Sequence, residues 1–80
     1  MRKILVTGAL GQIGSELVPA LCERFGAHNV VAADIRQPPA WRMPGAPCFE
    51  YVDCLHTRQI EQAVQRHDVG TVYHLAALLS

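Results

Sequence analysis

Three evenly spaced glycines, Gly8, Gly11 and Gly14, stand between a β-branched apolar run and an amphipathic repeat, and they constrain this chain more than any other feature. Residues 3 to 7, Lys-Ile-Leu-Val-Thr, read as a strand buried on both faces. After the glycines, Ile13, Leu17, Leu21 and Phe25 recur every fourth residue, and Val18 and Cys22 widen them into the stripe of a helix. A strand that becomes a helix through such a loop leaves the first N–H groups, around Gln12 and Ile13, without helical acceptors. The helix dipole adds about half a positive charge there. Gly8 permits the tight turn, Gly11 lets the backbone approach a diphosphate, and Gly14 lets the helix pack close to the sheet. A bound anion such as a diphosphate is what this geometry favours. No Gly-Lys-Ser/Thr follows, so the triphosphate-binding P-loop is excluded.

The rest of the chain repeats the alternation. Phe25-Gly26 gives the first helix a glycine stop, and Pro19 inside it predicts a kink. Val30 to Ala33 read as a second buried strand ending at Asp34. Residues 35 to 47, with Pro38, Pro39, Pro44, Gly45 and Pro47, cannot make a regular crossover helix. Phe49 to Val52 read as strand three, with Asp53 at its end. A second helix follows, with Thr57 as N-cap, an apolar face of Ile60, Ala63 and Val64, and Gly70 as its exit. Thr71 to Leu75 are strand four and read as buried on both faces. This order predicts an α/β fold, the N-terminal half of a Rossmann-type doubly wound parallel sheet with strand order 3-2-1-4 and a helix on each face. Ligands of such sheets bind at the carboxyl ends of the strands where the winding reverses. The glycine loop and the segment after strand four should therefore face one ligand.

Composition narrows the ligand. Seven basic and seven acidic residues balance to zero net charge, with no basic cluster for nucleic acid or an anionic membrane surface. The apolar stretch after Met1-Arg2-Lys3 is too short for a signal peptide or a membrane span. Cys22, Cys48 and Cys54 are an odd count without a C-x-x-C pair, and they read as reduced thiols of a cytoplasmic protein. His28, His56, His67 and His74 do not fall into ligand spacing with the cysteines, so no metal site is expected. The expected partner is a small-molecule substrate, with a homo-oligomer expected for the complete protein.

Asp34 points to the cofactor. It ends strand two twenty residues past Gly14, the separation at which an acid meets the adenosine ribose of a dinucleotide. A carboxylate accepts hydrogen bonds from both ribose hydroxyls, each about 1.5–3 kcal/mol when charge-assisted. The 2′-phosphate of NADP would meet it as a like charge. NAD is the expected cofactor. Arg36, two residues on, reads as a solvated loop arginine; turned inward it could pair a phosphate.

Taken together, Thr7-Gly8-x-x-Gly11-x-x-Gly14, Asp34, Asp53 and His74-Leu75-Ala76-Ala77 resemble the extended short-chain dehydrogenases, which include nucleotide-sugar epimerases and dehydratases. The resemblance covers residues 1 to 80. Within that group, residues 26 to 36 with Leu75-Ala76-Ala77-Leu78-Leu79-Ser80 are most similar to the short-chain type of L-threonine 3-dehydrogenase. The resemblance implies that Asp53 contacts the adenine amino group and Cys54 adds a backbone contact. It implies that Leu75, Ala76 and Ala77 line the ribose and nicotinamide end, and that Ser80 lies on the substrate side. Structural alternatives stand beside these roles: Asp53 as a cap into the second helix, and the alanines as small residues under tight packing. His74 reads as a packed, hydrogen-bonded core histidine.

Chemistry in that family uses a Tyr-x-x-x-Lys pair, the lysine lowering the tyrosine pKa as hydride leaves for NAD. Here the only lysine is Lys3, and four residues after Tyr51 and Tyr73 come Leu55 and Ala77. No catalytic residue is assigned in this chain. Residues 1 to 80 would be the amino-terminal part of an NAD-binding domain, with the remainder of that domain and a substrate domain outside the chain. The resemblance implies a threonine dehydrogenase first, a nucleotide-sugar epimerase or dehydratase second, and a non-catalytic nucleotide-binding module third.

Overall fold

The apolar run after Arg2 forms β1 (Lys3–Thr7), and the run after Asn29 forms β2 (Val30–Asp34). The computed structural model describes residues 2–36, 47–53 and 55–75. Between these strands lie α1 (Gly14–Phe25) and a single 3-10 turn at Ala27–Asn29. β3 (Cys48–Tyr51), α2 (Thr57–His67) and β4 (Val69–His74) complete the described elements. The four strands are parallel in the order β3-β2-β1-β4, the doubly wound arrangement that the alternation predicts.

Strand alternation divides the core into two layers. Ile4 and Val6 of β1 with Val30 and Ala32 of β2 pack against Val18 and Leu21 of α1. Their neighbours Leu5, Val31 and Ala33 pack with Val52, just past β3, and with Ala63 of α2. β1 and β2 are therefore buried on both faces, and each enclosed valine or leucine contributes about 1.5–3 kcal/mol. Among the described residues no helix is long and apolar enough to cross a membrane.

Helix ends follow local chemistry. At α1 the stop is Gly26, whose φ of 91° suits glycine and whose N–H reaches the Cys22 carbonyl. Asn29 Nδ2 donates to the Phe25 carbonyl at 2.7 Å, supplying a partner that the helix lacks there. Pro19 lies exposed inside α1, and the loss of its N–H does not end the helix.

Several local expectations are corrected. Ile13 is half exposed and precedes the first helical residue, so the buried stripe of α1 starts at Leu17. Thr57 is the first residue of α2 and caps nothing with its side chain; His56 holds the N-cap position. Gly70 is not the exit of α2, which leaves at Asp68 in the left-handed conformation (φ 53°). Aspartate is among the few non-glycine residues that visit this region readily. Gly70 instead falls at a register shift in β4, where Lys3 pairs with Val69 but Ile4 with Thr71. A Cβ on Gly70 would come within 2.8 Å of Arg2 Cβ.

The strand bounds shift as well. β3 begins at Cys48, one residue before the expected start, and Val52 follows it as a buried residue. β4 is one edge of the described sheet, opposite β3, and beyond Val69 its residues are exposed, Val72 and Tyr73 included. The expectation that strand four is buried on both faces is thus not met: beyond Val69 it is exposed. The proline-rich connection lies mostly outside the described residues.

Candidate functional site

The carboxyl ends of β1, β2 and β4 meet at the glycine loop. Gly8 takes a φ of 67°, and its carbonyl accepts the Gly11 N–H at 3.0 Å, closing the turn. The Ala9 N–H donates to the Ala33 carbonyl, fastening the loop to the end of β2. On Gly14 a Cβ would lie 2.5 Å from the Gly8 carbonyl oxygen and 2.7 Å from both Cα and O of Ala9. The third glycine lets the helix start sit against loop backbone, a closer contact than the one with the sheet that the spacing suggested.

Helix α1 starts without a side-chain cap. The Ser15 N–H reaches the Gly11 carbonyl, and the Glu16 and Leu17 N–H groups reach the Ile13 carbonyl. The N–H groups of Gln12, Ile13 and Gly14 have no acceptor among the described residues. Three successive donors at a helix N-terminus make a positive concavity for an anion. The neighbouring Gln12 and Ile13 side chains are exposed.

Asp34 is buried, at 5% exposure, at the end of β2. Its Oδ2 accepts the Leu10 N–H at 3.0 Å, and its Oδ1 accepts the Arg36 N–H at 3.0 Å. Arg36 Nε and NH2 add bonds of 3.2 Å to Oδ1 and Oδ2. A carboxylate offers about four acceptor positions, so all are filled. Burial pushes the Asp34 carboxyl up, but the Arg36 side-chain bonds, the Arg36 and Leu10 N–H groups and the guanidinium charge outweigh it. They hold the group below its ordinary value. In return, the carboxylate pushes the Arg36 guanidinium up. Arg36 is thus no free loop arginine: it lies on Asp34 with its own side chain 55% exposed. The Asp-x-Arg spacing after a strand end was the available signal.

Other expected residues divide. Leu75 donates its N–H to the Thr7 carbonyl at 3.2 Å, which brings the segment after β4 to the end of β1. Thr7, fully buried, meets His74 Nδ1 through its hydroxyl at 2.8 Å. His74 is therefore hydrogen-bonded as expected, but it is exposed on the edge strand and not part of the core. Asp53 stands past the end of β3, where Oδ1 accepts the Leu55 N–H at 3.0 Å and the Asp53 N–H donates to Gln59 Oε1 at 2.8 Å. Those bonds shape the turn leading into α2, but neither caps the helix, whose start carries no side-chain cap. Cys54, Ala76, Ala77 and Ser80 lie outside the described residues. Histidine spacing set His67 apart from the cysteines, yet the fold brings it beside Cys48 and Glu50.

Comparison with known proteins agrees with this architecture. The family model described as NAD dependent epimerase/dehydratase family matches residues 4–80. An uncharacterized epimerase/dehydratase of Staphylococcus epidermidis is 46% identical over 81 residues, covering 100% of this chain and 25% of the relative. One from Staphylococcus aureus is 42% identical over 80 residues with the same coverage. Among solved structures, the L-threonine dehydrogenase of Clostridium difficile superposes with a TM-score of 0.81 at 38% identity, over 92% of this chain and 23% of that one. The GalE-like L-threonine dehydrogenase of Cupriavidus necator, in its holo form, gives 0.81 at 39% identity with the same coverage. The chain spans about a quarter of the length of the curated relatives it matches. With the family model matched over residues 4–80 of a chain that folds as a parallel sheet of order 3-2-1-4 with its glycine loop tied to Asp34, the chain belongs to the NAD dependent epimerase/dehydratase family.

Proposed function

We propose that these residues are the cofactor-holding part of an NAD-dependent oxidoreductase that converts L-threonine to 2-amino-3-oxobutyrate, with hydride passing to NAD and a proton to solvent. The observation that carries the cofactor half of this reading is the set of unpaired N–H groups at Gln12, Ile13 and Gly14, directly after a loop tied to Asp34. Those donors would hold the diphosphate. Asp34 would accept the adenosine ribose hydroxyls, kept in position by the Leu10 and Arg36 N–H groups while the Arg36 side chain gives up its two bonds. When bound, NAD supplies the hydride acceptor. Leu75, Ala76 and Ala77 would lie towards the nicotinamide end, with Ser80 on the substrate side. Proton transfer falls to residues outside this chain, as does the rest of the cofactor domain.

The threonine assignment is supported by the solved relatives, which are threonine dehydrogenases at 38–43% identity. The test uses the complete protein with L-threonine and NAD, following NADH by absorbance. Threonine-dependent NADH formation is expected. The second reading, a nucleotide-sugar epimerase or dehydratase, is favoured by the description of the curated relatives. No NADH with threonine but turnover of a UDP- or GDP-sugar would reverse the order.

A further inference from the structure

β3 turns two donors towards α2. Phe49 packs with the core on the α1 side, so Cys48 and Glu50 face the α2 side, as does Val52 beyond them. His67 arrives there from the last turn of α2, and the ligand atoms of Cys48, Glu50 and His67 all lie within 4.8 Å of one another. His67 Nε2 is 2.8 Å from Glu50 Oε2, while Arg66 NH1 donates to Glu50 Oε1 at 2.6 Å.

An ion-pair staple accounts for part of this cluster. Glu50 between Arg66 and His67 ties the end of α2 to the edge strand without further help. That staple has no use for Cys48. Thiol, carboxylate and imidazole converging on one point are instead the donor types of a zinc site.

We propose that Cys48, Glu50 and His67 bind a divalent transition-metal ion, Zn²⁺ by preference, fastening β3 to α2. Tetrahedral zinc bonds of about 2.0–2.3 Å place ligand atoms roughly 3.3–3.7 Å apart. The His67–Glu50 pair, at 2.8 Å, must therefore open slightly, by side-chain rotation in a partly exposed cluster. On binding, Cys48 loses its thiol proton to solvent, and His67 frees Nε2 for the metal by carrying its ring proton on Nδ1. Arg66 keeps Glu50 Oε1, orienting the carboxylate so that Oε2 meets the ion. A sulfur donor beside imidazole selects against Mg²⁺ and Ca²⁺, and the fourth position is open to water. None of the three residues belongs to the cofactor site, so this proposal stands apart from the assigned reaction.

The experiment takes the complete protein, stripped with a chelator, and titrates it with Co²⁺ and then Zn²⁺. One Co²⁺ should bind with a thiolate-to-cobalt charge-transfer band that Zn²⁺ bleaches. Cys48→Ser should lose the band while keeping the metal-free melting temperature, and His67→Gln should bind Co²⁺ at least about tenfold more weakly. Zn²⁺ should raise the melting temperature of the native protein and not that of Cys48→Ser. Absence of the band in the native protein, or an undiminished band in Cys48→Ser, would overturn the proposal.

Discussion

The buried carboxylate of Asp34, at the end of β2, accepts a hydrogen bond from the backbone N–H of Leu10, inside the glycine loop, at 3.0 Å. The acid that would recognise the ribose is thereby fixed relative to the turn that would hold the diphosphate. Arg36 completes the arrangement from outside, with two side-chain bonds to the same carboxylate.

Removing the Arg36 side chain should move the two cofactors in opposite directions. Arg36→Ala frees two acceptor positions on Asp34, so NAD should bind the complete protein about two- to fivefold more tightly, the scale of an exposed ion pair. NADP should bind more weakly, because the nearby cation is lost. Calorimetric titration with each cofactor checks both signs.

Gly14→Ala should destabilise the complete protein by about 1–3 kcal/mol, since the new methyl meets backbone at Gly8 and Ala9 that cannot rotate away. NAD affinity should fall as well, because the helix start must shift. Urea unfolding and a cofactor titration measure the two losses.

Acid should erase what Asp34 contributes. Its folded pKa is lowered, so its stabilisation is fully present above the unfolded value of about 3.9 and disappears as pH falls through the folded value. The stability gap between native protein and Asp34→Asn should be constant near neutral pH, narrow below about pH 4, and vanish in stronger acid. Urea midpoints across that range measure the gap.

Residues 1–80 expressed alone should associate or aggregate. β4 is a parallel edge with Val72 and Tyr73 uncovered, and a chain this short hides only roughly 60–65% of its unfolded surface. Size-exclusion chromatography with light scattering tests this; a monomer with a sharp cooperative melt would contradict it.

What the sequence made legible was periodic or steric. Gly8 and Gly26 take the positive φ that glycine favours, Gly14 sits where a Cβ would meet loop backbone, and the apolar runs of β1 and β2 announced the two core layers. Features set by side chains reaching across the fold stayed hidden. His74 meeting Thr7 and His67 joining Cys48 and Glu50 follow from the strand register and the α2 path, whereas Arg36 folding onto Asp34 is a local contact two residues apart. The exit of α2 was misread because Asp68 took the left-handed conformation that Gly70, two residues later, advertised.

The central claim, that Asp34 selects NAD at the end of β2, is tested by titrating the complete protein and Asp34→Ala with NAD and with NADP. Loss of charge-assisted bonds to the ribose should weaken NAD about ten- to a hundredfold, while NADP, relieved of a like charge, should lose little or gain. Equal losses for the two cofactors would remove Asp34 from the ribose site and contradict the claim.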